Sequence, residues 1–154
     1  MEAEVRRDLP MILIRVIVGL VFLLEGALKF HSPESLGVGR FAALGLPLPH
    51  LFAPLVGVVE IACGAAILLN IYAGDAALAL LAVILGALVT TKLPILFGHS
   101  LGPFPLEKLH SYGWLSFFHQ ARTDFSMLFC LLAILIDSGL KLGRRTPWYQ
   151  SRQL

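Results

Sequence analysis

Four long apolar runs constrain this chain more than anything else in it. A bilayer's hydrocarbon core, about 30 Å thick, takes roughly 20 helical residues to cross. The runs at residues 9–30, 51–72, 76–97 and 123–141 meet that length. Helix breakers separate them: Pro33, Gly37 and Gly39 after the first, Pro47, Pro49 and Pro54 around the start of the second, and Pro94, Gly98, Gly102, Pro103 and Pro105 at the end of the third. Gly74-Asp75 reads as the tight turn between the second and third, with Asp75 capping the new helix. The runs are rich in Leu, Ala and Ile without dyad alternation, which excludes barrel strands. The expected fold is all-α, a single integral membrane domain over residues 1–154 built as a four-helix transmembrane bundle.

Composition supports this. Of the 154 residues 57% are hydrophobic and 14% charged, against about 45–50% and about 25% in soluble domains. Too little polar surface remains to cover a water-facing globule, which excludes a soluble enzyme core and a disordered chain. The 12 Lys+Arg nearly balance the 10 Asp+Glu, so no nucleic-acid partner is implied. Arg6 and Arg7 ahead of an apolar run resemble a signal peptide. Arg15, Glu25 and Lys29 interrupt that run, however, and no small-residue cleavage pattern follows, so the segment reads as retained.

Basic residues set the expected orientation. Arg6, Arg7, Lys141, Arg144, Arg145 and Arg152 lie in the tails, and Arg40, Lys108 and Arg122 in the long loops. The positive-inside rule then places both termini in the cytoplasm and both long loops outside. Tyr72, Trp148 and Tyr149 would mark the inner interface, Tyr112 and Trp114 the outer one. The aromatic stretch 98–122 reads as an interfacial or re-entrant segment on the outer face.

Ionisable groups inside the spans are the candidate site. Each costs about 2.5–3.5 kcal/mol at a helix centre, so such groups usually face protein or water. Arg15, Glu25, Lys29, Glu60, Lys92, Asp124 and Asp137 all fall within or at the edge of the runs. By depth, Glu25, Lys29, Glu60, Lys92 and Asp124 converge in the outer half, with Arg15 near the inner end of its helix; these groups other than Asp137 form the candidate polar cluster. Glu25 and Lys29, four residues apart, can pair within one helix. Glu60 has no basic residue on its own span and must find a partner across the bundle or stay protonated. Thr90 and Thr91 add hydroxyls beside Lys92. One reading is a structural ion-pair network; the other is a polar pocket for a quinone head group, a proton or a small solute.

Two stripes of small and charged residues predict close packing. The first span carries Arg15-x3-Gly19-x2-Phe22-x3-Gly26-x2-Lys29 on one face. The second carries Ala53-x3-Gly57-x2-Glu60-x3-Gly64-x3-Leu68. Their expected contact puts Glu60 near Phe22 and Gly26. Together with Phe41-x2-Leu44-Gly45-x-Pro47 in the loop between them, these stripes resemble the DoxX family of four-helix bacterial membrane proteins. The resemblance covers roughly residues 10–75; the third span matches by hydropathy alone. In the fourth, Asp124 and Gly139 fit, whereas Asp137-Ser138-Gly139-Leu140-Lys141 only loosely echoes the family's ending. The resemblance implies an inner-membrane protein working with a soluble or membrane oxidoreductase, in quinone- or thiol-linked redox chemistry.

The remaining candidates read more plainly. His31, His50, His99, His110 and His119 all fall on the expected outer side, with no i,i+4 pair and no HExxH, and are assigned no metal. Cys63 and Cys130 sit within spans and read as small apolar residues rather than a redox pair. No nucleotide-binding or electron-carrier motif is present, so any redox role is that of a non-autonomous subunit whose partner carries the electrons. Within the expected redox role, Glu60 and Glu25 handle protons, Lys29, Lys92 and Arg15 balance charge, and Asp124 closes the cluster. A small-solute transporter or channel and a membrane assembly scaffold remain open, and a homodimer is compatible with so small a bundle.

Overall fold

The computed structural model describes residues 2–139, with side chains from Leu9 onward. The basic tail residues and the aromatics Trp148 and Tyr149 used to orient the chain lie outside the described side chains. Among the described residues the chain is all-helical, with no strand beyond an isolated bridge between Leu101 and Phe104. Helix α1 runs Glu2–His31, the short α2 Val38–Ala43, α3 Pro49–Leu68 and α4 Ala73–Ala87. A π-helical turn at Leu88–Lys92 leads into α5, Leu93–Phe97, and α6 runs Trp114–Asp137. Four helical stretches are long and apolar enough to cross a membrane: Leu9–His31, Pro49–Leu68, Ala73–Phe97 and Trp114–Asp137.

Three sequence expectations shift. The turn between α3 and α4 lies at Asn70–Tyr72, ahead of Gly74-Asp75, because Asn70 and Tyr72 take the left-handed conformation, which Asn tolerates best among residues with a side chain. Tyr72 occupies the cap position without a side-chain cap bond, and Asp75 falls inside the first turn of α4. There its charge lies at the positive end of the helix dipole. The fourth membrane helix begins at Trp114 rather than residue 123, so the second half of the expected re-entrant segment is its first turns. It stops at Asp137, with Gly139 at φ +66°, and the last two residues of the expected span, 140 and 141, lie outside the described residues.

Helix α1 packs mainly against α3, α4 against α6 and α3, and α1 more sparsely against α6, giving a ring α1–α3–α4–α6. The α1–α3 contact is close because glycines line it. A Cβ on Gly26 would sit 2.7 Å from the Gly57 carbonyl oxygen and 3.1 Å from Glu60 Cβ. One on Gly64 would sit 2.9 Å from the Gly19 carbonyl oxygen and 3.3 Å from Phe22 Cβ. Backbones thus meet where no side chain intervenes, as small-residue faces permit in lipid; Glu60 lies beside Gly26 as expected, and Phe22 lies against Gly64.

The apolar core is concentrated at one end. Val18, Phe22, Ile67, Leu80, Leu131 and Ile134 close together near the start of α4 and the end of α6. This is the turn end of the bundle. At the opposite, loop end, α2 and the segment after α5 lie over the helices, with Gly45 (φ +68°) against the Pro103 carbonyl. A side chain at Gly45 would be excluded both by its backbone conformation and by that contact.

Candidate functional site

Where the core stops, a cavity of about 680 Å³ opens between the helices at the loop end. Its lower walls are apolar: Val21 and Phe22 from α1, Val56 from α3, Ala82, Val83 and Ile84 from α4, and Met127 from α6. Its upper walls are charged. Glu25 and Lys29 enter from α1, Arg40 from α2, Glu60 from α3, Lys92 from the π-turn and Asp124 from α6. Three cations and three carboxylates from five elements therefore share one space.

Lys29 and Glu60 form the one direct ion pair there among the described residues. The Lys29 ammonium donates to Glu60 Oε2 at 2.6 Å, with the side chains 12% and 5% exposed. The short approach of α1 to α3 sets this geometry, since Gly26 and Gly57 bring the two helices together at the same level. Glu60 thus finds its cation across the bundle. The expected Glu25–Lys29 pair is not formed: Glu25 is exposed toward the cavity while Lys29 turns to the more buried carboxylate. Asp124 lies within electrostatic reach of Lys92, Arg40 and Glu25 without an ion-pair contact to any of them.

The π-turn explains how Lys92 comes to face the cavity. Pro94 has no N–H for the Thr90 carbonyl, and its ring would crowd that carbonyl in a regular helix. Widening the preceding turn relieves the conflict, and such bulges recur at functional sites. The Thr90 hydroxyl donates to the Gly86 carbonyl at 2.9 Å and the Thr91 hydroxyl to that of Ala87 at 2.6 Å. These back-bonds satisfy carbonyls near the widened turn and help bend a helix.

Arg15 does not belong to this cluster. It lies at the turn end, where its Nη2 donates to Asp137 Oδ2 at 2.6 Å and ties α1 to α6. It shares a helix face with Lys29 but sits about 21 Å away along the axis, at 1.5 Å per residue. Its Nε is buried without a hydrogen-bond partner among the described residues. Sequence reasoning counted Arg40 as a loop residue and passed over Gln120 and Thr123, all of which line the cavity.

Cys63 and Cys130 are unbonded, half-buried and packed against the apolar core. Among the described residues no three His, Cys, Asp or Glu side chains gather as a metal site. At the loop end of α6, Phe117 meets Phe118 and Phe125 edge-on while Phe118 and Phe125 stack, with centroids 5.3–5.8 Å apart. Arg122 donates to the His119 carbonyl at 2.5 Å on the same exposed turn.

Four spanning helices, charges gathered from several of them at one end and a glycine-lined α1–α3 seam define a multi-pass integral membrane protein. The chain belongs to the DoxX family, whose pattern it matches over residues 11–93. It is 47% identical over 124 residues to the uncharacterized membrane protein Rv3486 of Mycobacterium tuberculosis, an alignment covering 80% of this chain and 72% of that protein. No solved structure matches it.

Proposed function

We propose that this protein is the membrane component of a quinone-linked oxidoreductase system and holds a quinone head group in the loop-end cavity. The observation that carries this reading is the cavity itself: about 680 Å³, apolar below and charged above. That size lies within the roughly 300–1,000 Å³ of small-molecule sites, whose few polar groups orient a mostly apolar ligand. A quinone has matching parts, an apolar ring and tail with oxygens at opposite edges. Lys92 and Arg40, cations without a direct carboxylate partner among the described residues, supply donors for those oxygens. Glu25, Glu60 and Asp124 supply proton-exchanging groups, with Lys29 balancing Glu60. Reduction to the quinol takes two electrons and two protons. The electrons come from a partner oxidoreductase, since this chain has no motif for an electron carrier.

Catalysis is therefore shared, and this chain binds and protonates. A continuous solute path fits less well, because Val18, Leu80, Leu131 and Ile134 are fully buried and close the bundle below the cavity. We place the protein in the bacterial inner membrane with both termini cytoplasmic, on the distribution of its basic residues, and a homodimer is compatible with this placement. The test is quinone retention. Protein extracted from its own membranes in nanodiscs should carry close to one quinone per chain, and Glu60→Gln and Lys92→Met should each lower that several-fold. Both should also impair quinone reduction in membranes while passive ion flux stays unchanged. Quinone at no more than its bulk-lipid level in the unsubstituted protein would sink the proposal.

A further inference from the structure

Four glycines of the spans are accounted for by packing, since Gly19, Gly26, Gly57 and Gly64 sit where α1 and α3 backbones meet. Gly86 is different. A Cβ there would meet nothing within 4 Å, and glycine inside a helix is less stable than alanine. It stands on α4 at the cavity wall, one turn beyond Ala82, so beside the lining side chains of Val83, Ile84 and Ala87 the wall is shallow at these two positions. Directly above it come Thr90, Thr91 and Lys92. Both hydroxyl protons are turned back to the Gly86 and Ala87 carbonyls. The donor that this wall offers to the cavity is therefore the Lys92 ammonium.

We infer that Ala82, Gly86 and Lys92 form a subsite for a flat ring bearing a hydrogen-bond-accepting oxygen. The ring face lies on the Ala82–Gly86 wall and the oxygen accepts from Lys92. This rests on the quinone reading and adds to it the wall that the ring uses and the shape that the site selects. A planar ring packs against the small residues Ala82 and Gly86 at van der Waals distance, about 3.5–4.0 Å between carbons. A puckered saturated ring is thicker and loses that contact. A side chain projecting from residue 86 takes the ring's place. The lysine's flexible four-carbon stem lets its ammonium follow the oxygen.

The experiment uses the full chain in nanodiscs and two probes, 2-methyl-1,4-naphthoquinone and the ring-saturated diketone of the same carbon skeleton, each measured by equilibrium dialysis. The unsubstituted protein should bind the planar probe at least tenfold more tightly than the saturated one. Gly86→Leu and Ala82→Leu should each weaken planar-probe binding at least tenfold. Lys92→Met should weaken it about tenfold and Lys92→Arg less. Where a leucine variant fails to fold, Gly86→Ala carries the test, with a two- to fivefold loss expected. Failure of the unsubstituted protein to bind the planar probe overturns both readings. Binding that is equal for the two probes, or unchanged in the folded residue-82 and residue-86 variants, overturns this one alone.

Discussion

Glu60 is 4% exposed, and Lys29 is the cation that reaches it. A carboxylate so placed depends on its partner, since removing one member of a buried pair costs about 3–5 kcal/mol and replacing both by apolar groups is often near neutral. Lys29→Met should therefore destabilise the bundle by about 3 kcal/mol, and Lys29→Met with Glu60→Met should recover most of that. Reversible unfolding in mixed detergent micelles measures both. A double variant no more stable than the single one would show that the pair itself holds α1 on α3. The pair at the other end behaves differently. Asp137 is 42% exposed, so when Arg15→Gln removes its cation the carboxylate can reach headgroups and water. The expected loss there is about 1 kcal/mol, in the range of exposed pairs.

Among the elements, the α1–α3 seam was the most legible in sequence, because glycine and charge repeating at helical spacing inside an apolar run mark a face that meets protein rather than lipid. The stripe gave the face but not the partner. Arg15 shares that face with Lys29 yet ends in a separate ion pair with Asp137, in keeping with its depth near the other end of the helix: the stripe sets angle, and residue count sets depth. The start of α6 was missed for another reason. His119, Gln120 and Arg122 lower the hydropathy of its first turns, although those turns are helical. Arg40 was missed because a six-residue helix between spans carries too little periodicity to be read. The glycines give an element-scale prediction of opposite signs. Gly26→Ala pushes a methyl to 2.7 Å from the Gly57 carbonyl oxygen and should cost about 1–3 kcal/mol. Gly86→Ala enters open space and should stabilise by about 0.5–1 kcal/mol. Thermal unfolding of the two unliganded variants decides it, and a destabilised Gly86→Ala would mean that its wall is packed after all.

At the scale of the whole molecule, the main apolar core fills the turn end, and the cavity opens at the loop end beside a smaller buried group that includes Pro94, Ile95 and Ala121. The long third membrane segment, Ala73–Phe97, passes through both regimes. Its first turns bury Ala76, Ala77, Leu80 and Leu81 in the shared core. Its later part, from Ala82 to Lys92, borders the cavity and contains the π-turn. Amide exchange in a membrane helix requires both an opened hydrogen bond and water, and local opening is easiest where buried apolar contacts are few. Both conditions favour the cavity side. Amides at residues 88–93 should therefore exchange at least tenfold faster than those at residues 77–81, although the two stretches share one span. Saturating quinone should slow the first group and leave the second unchanged, because the ligand fills the hollow and does not touch the core. Exchange mass spectrometry in nanodiscs resolves the two stretches. Uniform protection along the span would mean that the loop end is as tightly closed as the turn end, and that the charges gathered there serve only to hold helices together.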